Sequence, residues 1–120
     1  MADDKELVVV VDDEEEARDF LRQILELEGF EVEGFANGAE ALDYLNHSAH
    51  PCVIILDLRM PIMNGPQFRA ALLKDSRLAA IPIVVTTALE PTAAASLSAV
   101  GVLRKPINVE ALVGVVRQHC

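Results

Sequence analysis

Five short runs rich in valine, isoleucine and leucine, at residues 6–11, 31–35, 52–57, 81–86 and about 100–104, alternate with stretches whose apolar residues recur at helical spacing. That alternation is what βαβ units closing on a parallel sheet require. The first, third and fourth runs are nearly continuous in apolar residues, as strands covered on both faces must be. The second, Glu31-Val32-Glu33-Gly34-Phe35, alternates polar with apolar and reads as an edge strand. Right-handed crossovers put helices on both faces, and a strand order of 2-1-3-4-5 places the topological switch between the first and third strands. The predicted fold class is α/β, a doubly wound five-stranded parallel sheet. Residues 1–120 are expected to form a single domain, because no linker, repeat or low-complexity tract interrupts the series.

The helices are marked by their ends. Ala17, Phe20, Leu21, Ile24 and Leu27 or Glu28 keep the i, i+3, i+4, i+7 spacing of an amphipathic helix, with Gly29 just past its end. Asp13 is placed to cap that helix, Glu16 completes a capping-box-like pair, and Glu14 and Glu15 suit the positive helix end. Asn37 is the expected cap of a second helix carrying Ala41, Leu42 and Leu45. Gly65-Pro66 opens a third with Phe68, Ala71 and Leu72 inward, and Asn108 opens the last, which carries Val109, Leu112, Val113 and Val116.

Composition removes several classes of function. An apolar content of 52% with only 4% aromatic residues implies one aliphatic core. A net charge of -9 lacks the basic footprint of nucleic-acid binding, so direct nucleic-acid contact is not expected. The amino-terminal stretch is acidic where a signal peptide would be basic, and no apolar run approaches a membrane span, so neither export nor membrane insertion is indicated. Cys52 and Cys120 offer no spacing for a disulfide framework or zinc site. They read as a buried small hydrophobe and a free tail thiol, in keeping with a reducing, cytoplasmic setting. His47 and His50 read as loop histidines, and the glycines form no phosphate-cradling pattern.

The chemistry is concentrated in acids that follow apolar runs. Asp12-Asp13 end the first run and Asp57 ends the third. Carboxyl ends of neighbouring parallel strands converge on one crevice, so these three carboxylates can meet in space. Their mutual repulsion is relieved by a hard divalent cation with oxygen ligands, and Mg2+ is the natural candidate. Beside such an ion Asp57 can act as a nucleophile toward phosphorus. Lys105, after the fifth run, supplies an ammonium charge, and Thr87, after the fourth, a hydroxyl. Thr86 competes with Thr87 for that role, but alternation along a strand sends the two side chains to opposite faces.

Asp12-Asp13, Asp57-Leu58-Arg59-Met60-Pro61, Asn64-Gly65, Thr87-Ala88 and Lys105-Pro106 stand in an order and context that resembles bacterial two-component response-regulator receiver domains of the chemotaxis type, over nearly the whole chain. The resemblance implies a flavodoxin-like fold in which Asp57 accepts a phosphoryl group from the phosphohistidine of a sensor histidine kinase or histidine phosphotransfer protein. It implies that Asp13 and Asp57 bind Mg2+ directly, that Asp12 does so largely through water, and that the Arg59 backbone carbonyl is a further ligand. Thr87 and Lys105 would contact the phosphoryl oxygens, and the Lys105-Pro106 bond would be cis. Such a domain catalyses its own phosphorylation and dephosphorylation without being a turnover enzyme, and it signals by shifting conformation and affinity for a downstream protein or output domain.

Two departures from the pattern bear on output. Val102 stands where receivers often carry an aromatic residue, and Lys105 follows Thr87 more closely than is common in that family, which implies a shortened fourth helix over Thr92–Ala99, whose small side chains bury little area. A receiver-like interaction module that works without phosphorylation is the alternative these features support. A metal-dependent phosphatase using an aspartyl phosphate is disfavoured because Arg59, two residues after Asp57, replaces the second acid that such enzymes need.

Overall fold

The computed structural model describes residues 6–47, 50–58, 63, 65–88 and 99–120. Along the chain run β1 (Leu7–Val11), α1 (Glu15–Leu27), β2 (Glu31–Phe35), α2 (Gly38–His47), β3 (Val53–Asp57), α3 (Gly65–Leu73), the one-turn α4 (Ser76–Ala79), β4 (Ile83–Thr87), β5 (Gly101–Arg104) and α5 (Val109–His119). The five strands form one parallel sheet in the order β2-β1-β3-β4-β5, as the alternation predicts. The central strands β1, β3 and β4 are buried at every position, whereas β2 and β5 at the edges are not. Alternation along each strand sorts the core into two layers. Val8, Val10, Val53, Ile55 and Val84 meet Leu21, Leu25, Leu112 and Val116 of α1 and α5 on one face. Val9, Val11, Ile54, Leu56, Ile83 and Val85 meet Ala41, Leu45, Phe68, Leu72 and Leu78 of α2, α3 and α4 on the other.

Several helix ends carry the predicted signals. Asn37 Oδ1 accepts from the Glu40 amide at 2.9 Å, and Asn108 Oδ1 accepts from the Ala111 amide at 2.9 Å. At the end of α1, Gly29 adopts φ 97°, which lets Gly29 N donate to the Glu26 carbonyl and Phe30 N donate to the Leu25 carbonyl. This pair of bonds is a Schellman termination, in which a left-handed residue turns the chain straight into β2. Gly38 has another reason to be glycine: a Cβ there would lie 3.0 Å from Phe68 Cδ1, so the missing side chain lets α3 seat its only aromatic residue against α2.

Other expectations are corrected. Asp13 does not cap α1; Glu14 holds the cap position without a side-chain bond, and it is Asp12 Oδ1 that accepts from the Glu14 amide. Phe20 and Leu27, placed on the inner face by periodicity, are exposed, while Leu25 is fully buried. At 100° per residue Phe20 and Leu27 share a flank of α1 that is rotated away from the face carrying Leu21 and Leu25, and it is the latter face that meets the sheet. The fourth strand starts at Ile83, two residues later than predicted, because Pro82 cannot donate to a ladder. His47 closes α2, with Nδ1 donating to the Asp43 carbonyl at 2.8 Å. The turn α4, capped by Asp75 accepting from Arg77 N, gave no periodic signal because it is four residues long.

Cys52 and Cys120 are joined in a disulfide across a sequence separation of 68, with Cα atoms 5.3 Å apart. Spacing in the chain gave no hint of this, since β3 begins and α5 ends at the same edge of the molecule only once the sheet has formed. The helix predicted over Thr92–Ala99 lies, apart from Ala99, outside the described residues.

Candidate functional site

Each part of the site is delivered by the carboxyl end of a strand. Asp12 follows β1, Asp57 closes β3, Thr87 closes β4 and Lys105 follows β5. The strand ends are tied to the turns beyond them by backbone bonds: Asp12 N to Phe35 O at 3.0 Å, Leu58 N to Thr86 O at 3.0 Å, and Lys105 N to Thr87 O at 2.8 Å. The last of these draws the turn after β5 against the end of β4. The Lys105-Pro106 peptide is cis, as the resemblance implies.

One carboxylate oxygen from each of Asp12, Asp13 and Asp57 lies within 4.8 Å of the others. Asp12 and Asp57 are buried and Asp13 is exposed, so the cluster opens to solvent on one side. Lys105 Nζ reaches Asp12 Oδ2 at 3.3 Å, Asp57 Oδ2 at 3.5 Å and Glu14 Oε1 at 3.5 Å. Burial by itself pulls the Lys105 pKa down, but attraction by Asp12 and Asp57, the hydrogen bond to Asp12, and the smaller pull of the exposed Glu14 outweigh it. The net pKa is above the usual lysine range, so the group stays an ammonium ion at neutral pH. Among the described residues Lys105 is the cation paired with these carboxylates, one positive charge against those of Asp12, Asp13, Asp57 and Glu14. All-oxygen ligands with residual negative charge are the donor set that a hard divalent ion takes. The residues present therefore fit Mg2+.

Asp12 is oriented from several sides at once: its Oδ1 accepts from the Glu14 amide at 2.9 Å, its Oδ2 from Lys105, and its backbone carbonyl from Arg18 Nη1 at 2.8 Å. Thr86 and Thr87 are both buried, and the ladder pairs Asp57 with Thr86. Thr86 continues the face of Val84, toward α1 and α5, where it lines a groove with Asp12, Phe20, Lys105 and Ile107. Thr87 continues the face of Val85. The alternation argument thus separates the two threonines as predicted. Glu14, taken from sequence only as a helix-start acid, also reaches Lys105. Nothing in its spacing signalled this, because the contact spans the distance between β1 and β5. Arg59 and Asn64 lie outside the described residues.

This geometry agrees with what comparison finds. The family model for the response regulator receiver domain matches residues 8–117. The chain belongs to that family. Among curated relatives, the response regulator Rre1 of Synechocystis sp. is 40% identical over 82 residues, covering 68% of this chain and 35% of the relative. The transcriptional regulatory protein CpxR of Escherichia coli is 33% identical over 114 residues, covering 92% of this chain and 47% of the relative. The receiver thus spans less than half the length of these curated relatives. Among solved structures, the chemotaxis protein CheY4 of Vibrio cholerae superposes with a TM-score of 0.87 at 32% identity, covering 97% of this chain and 99% of that one. A response regulator receiver protein from Pseudomonas putida gives a TM-score of 0.87 at 29% identity, covering 95% and 97%.

Proposed function

We propose that residues 1–120 act as one phosphoacceptor receiver of a two-component or phosphorelay system, taking a phosphoryl group onto Asp57. The observation that carries this reading is the contact of Lys105 Nζ with both Asp12 and Asp57 at the mouth of the three-carboxylate crevice. In the step proposed, an Asp57 carboxylate oxygen attacks phosphorus, the bond from phosphorus to the donor imidazole nitrogen breaks, and that nitrogen keeps the electron pair. Lys105 shifts from pairing with the Asp57 carboxylate to pairing with a phosphoryl oxygen. Thr87 donates its hydroxyl to another. Asp12, Asp13, Asp57 and the Arg59 carbonyl would hold Mg2+, which when bound neutralises charge on the phosphoryl oxygens.

The donor class is the phosphohistidine of a sensor histidine kinase or phosphotransfer protein in the cytoplasm, in line with the response-regulator relatives. The chain catalyses its own modification, not the turnover of a free substrate. Output follows from population shift, since the acyl phosphate favours whichever conformation lets Thr87 and Lys105 contact it, and that conformation binds the downstream partner or output domain with altered affinity. Incubation with a small phosphodonor, followed by intact-mass measurement, tests the reading. The expected result is one added phosphate with Mg2+, none without it, and none in Asp57→Asn. An unchanged mass for the wild-type chain with Mg2+ overturns it.

A further inference from the structure

The amino ends of the strands, at the pole opposite the acidic crevice, hold a second cluster of metal-ligating side chains. Glu6 precedes β1, Cys52 precedes β3 and Cys120 follows α5, and one ligand atom from each lies within 4.8 Å of the others. His50 and His119 line the same cavity, of about 540 Å³. His50 Nε2 is engaged by the Arg77 carbonyl at 2.9 Å, and His119, next in sequence to Cys120, also lines the cavity. Glu31 also lines the cavity and adds negative charge that favours a cation.

We propose that the reduced chain binds one zinc ion at this pole through the Cys52 and Cys120 thiolates, the Glu6 carboxylate and the His119 imidazole. The disulfide is then the metal-free, oxidised form of the same site. Thiolate ligands select zinc over magnesium, and two sulfurs, one imidazole and one carboxylate make a four-coordinate set that zinc accepts. Cα atoms 5.3 Å apart allow both states, because reduction lets the sulfurs separate by side-chain rotation while the strand and helix ends stay in place. Two thiol equivalents supply the two electrons and two protons that convert the disulfide to a dithiol, and are themselves joined as a disulfide. Zinc uptake then expels the two cysteine protons to solvent.

Cobalt(II) reports on such a site through thiolate-to-metal charge transfer, which the oxygen ligands of Asp12, Asp13 and Asp57 cannot produce. Titrating the reduced chain with Co2+ is expected to give near-ultraviolet charge-transfer bands saturating at one equivalent, and Zn2+ is expected to bleach them. The bands are expected to persist in Asp57→Asn and to be absent from the oxidised chain and from Cys120→Ser, which exchanges one atom at the residue that follows α5. Loss of zinc affinity in His119→Asn identifies the imidazole ligand. Absence of charge transfer in the reduced wild-type chain, or undiminished bands in Cys120→Ser, overturns the proposal. Unchanged zinc affinity in His119→Asn overturns the ligand set.

Discussion

At the scale of single residues, the fold makes ordinary side chains behave unusually by what it sets beside them. Tyr44 on α2 lies against Phe35, with ring centroids 5.0 Å apart, and its pKa is raised by burial first, then by the charges of Glu33 and Glu31 on β2. The folded chain therefore holds the phenol protonated beyond the pH at which the unfolded chain releases it. The stability this contributes is intact below the unfolded value and falls as pH rises from there to the folded one. Tyr44 is the only tyrosine and there is no tryptophan, so ultraviolet titration reads it directly. The expected curve has its midpoint above the ordinary tyrosine range, and Glu33→Gln shifts it down without restoring the ordinary value, because burial remains. A midpoint unmoved by Glu33→Gln would remove Glu33 from the causes and leave burial and Glu31.

At the scale of elements, ends matter more than interiors. The buried stripe of α1 is narrower than periodicity suggests, since it is centred on Leu21 and Leu25 and leaves Phe20 and Leu27 on an exposed flank, while the turn at Gly29 fixes where the helix ends. Nothing lies within 4 Å of a Cβ added at Gly29, so a substitution there tests backbone conformation without steric clash. Gly29→Ala is expected to destabilise the domain by about 1 kcal/mol through the left-handed φ alone, measured as a lower urea midpoint with an unchanged slope. An unaltered midpoint would mean that the α1–β2 turn re-forms in another geometry.

At the scale of the whole molecule, two apolar layers share one sheet, and the site sits where the layers end. Phe68 is fully buried in the layer under α2 and α3, and Gly38 is shaped around it. Phe68→Ala is expected to cost about 3–5 kcal/mol, a large fraction of a domain's stability of about 5–15 kcal/mol. Thermal unfolding followed by circular dichroism checks this, and a small loss would show that the layer collapses to fill the space. Among the described residues, the two groups whose side chains could hold a metal ion lie at element ends, Asp12, Asp13 and Asp57 at one pole and Glu6, Cys52 and Cys120 at the other. Strand interiors are occupied by core packing, which leaves the ends free to carry polar chemistry.

The alternation of apolar runs with helical spacing determined the sheet and its parallel sense, because burial on both faces leaves few other ways to hide those runs, and the polar alternation of Glu31–Phe35 marked β2 as an edge. It also placed Asp12, Asp13, Asp57, Thr87 and Lys105 at strand ends, since in a parallel sheet the end of a strand is a position in space as well as in sequence. What only the tertiary structure decided depends on contacts between segments far apart in the chain. The reach of Glu14 to Lys105, the role of Asp12 in place of Asp13 at the start of α1, the exposure of Phe20, and the meeting of Cys52 with Cys120 are all of this kind. Local spacing carries the periodicity of one helix or strand. It carries nothing about which distant side chain will arrive beside it when the layers close.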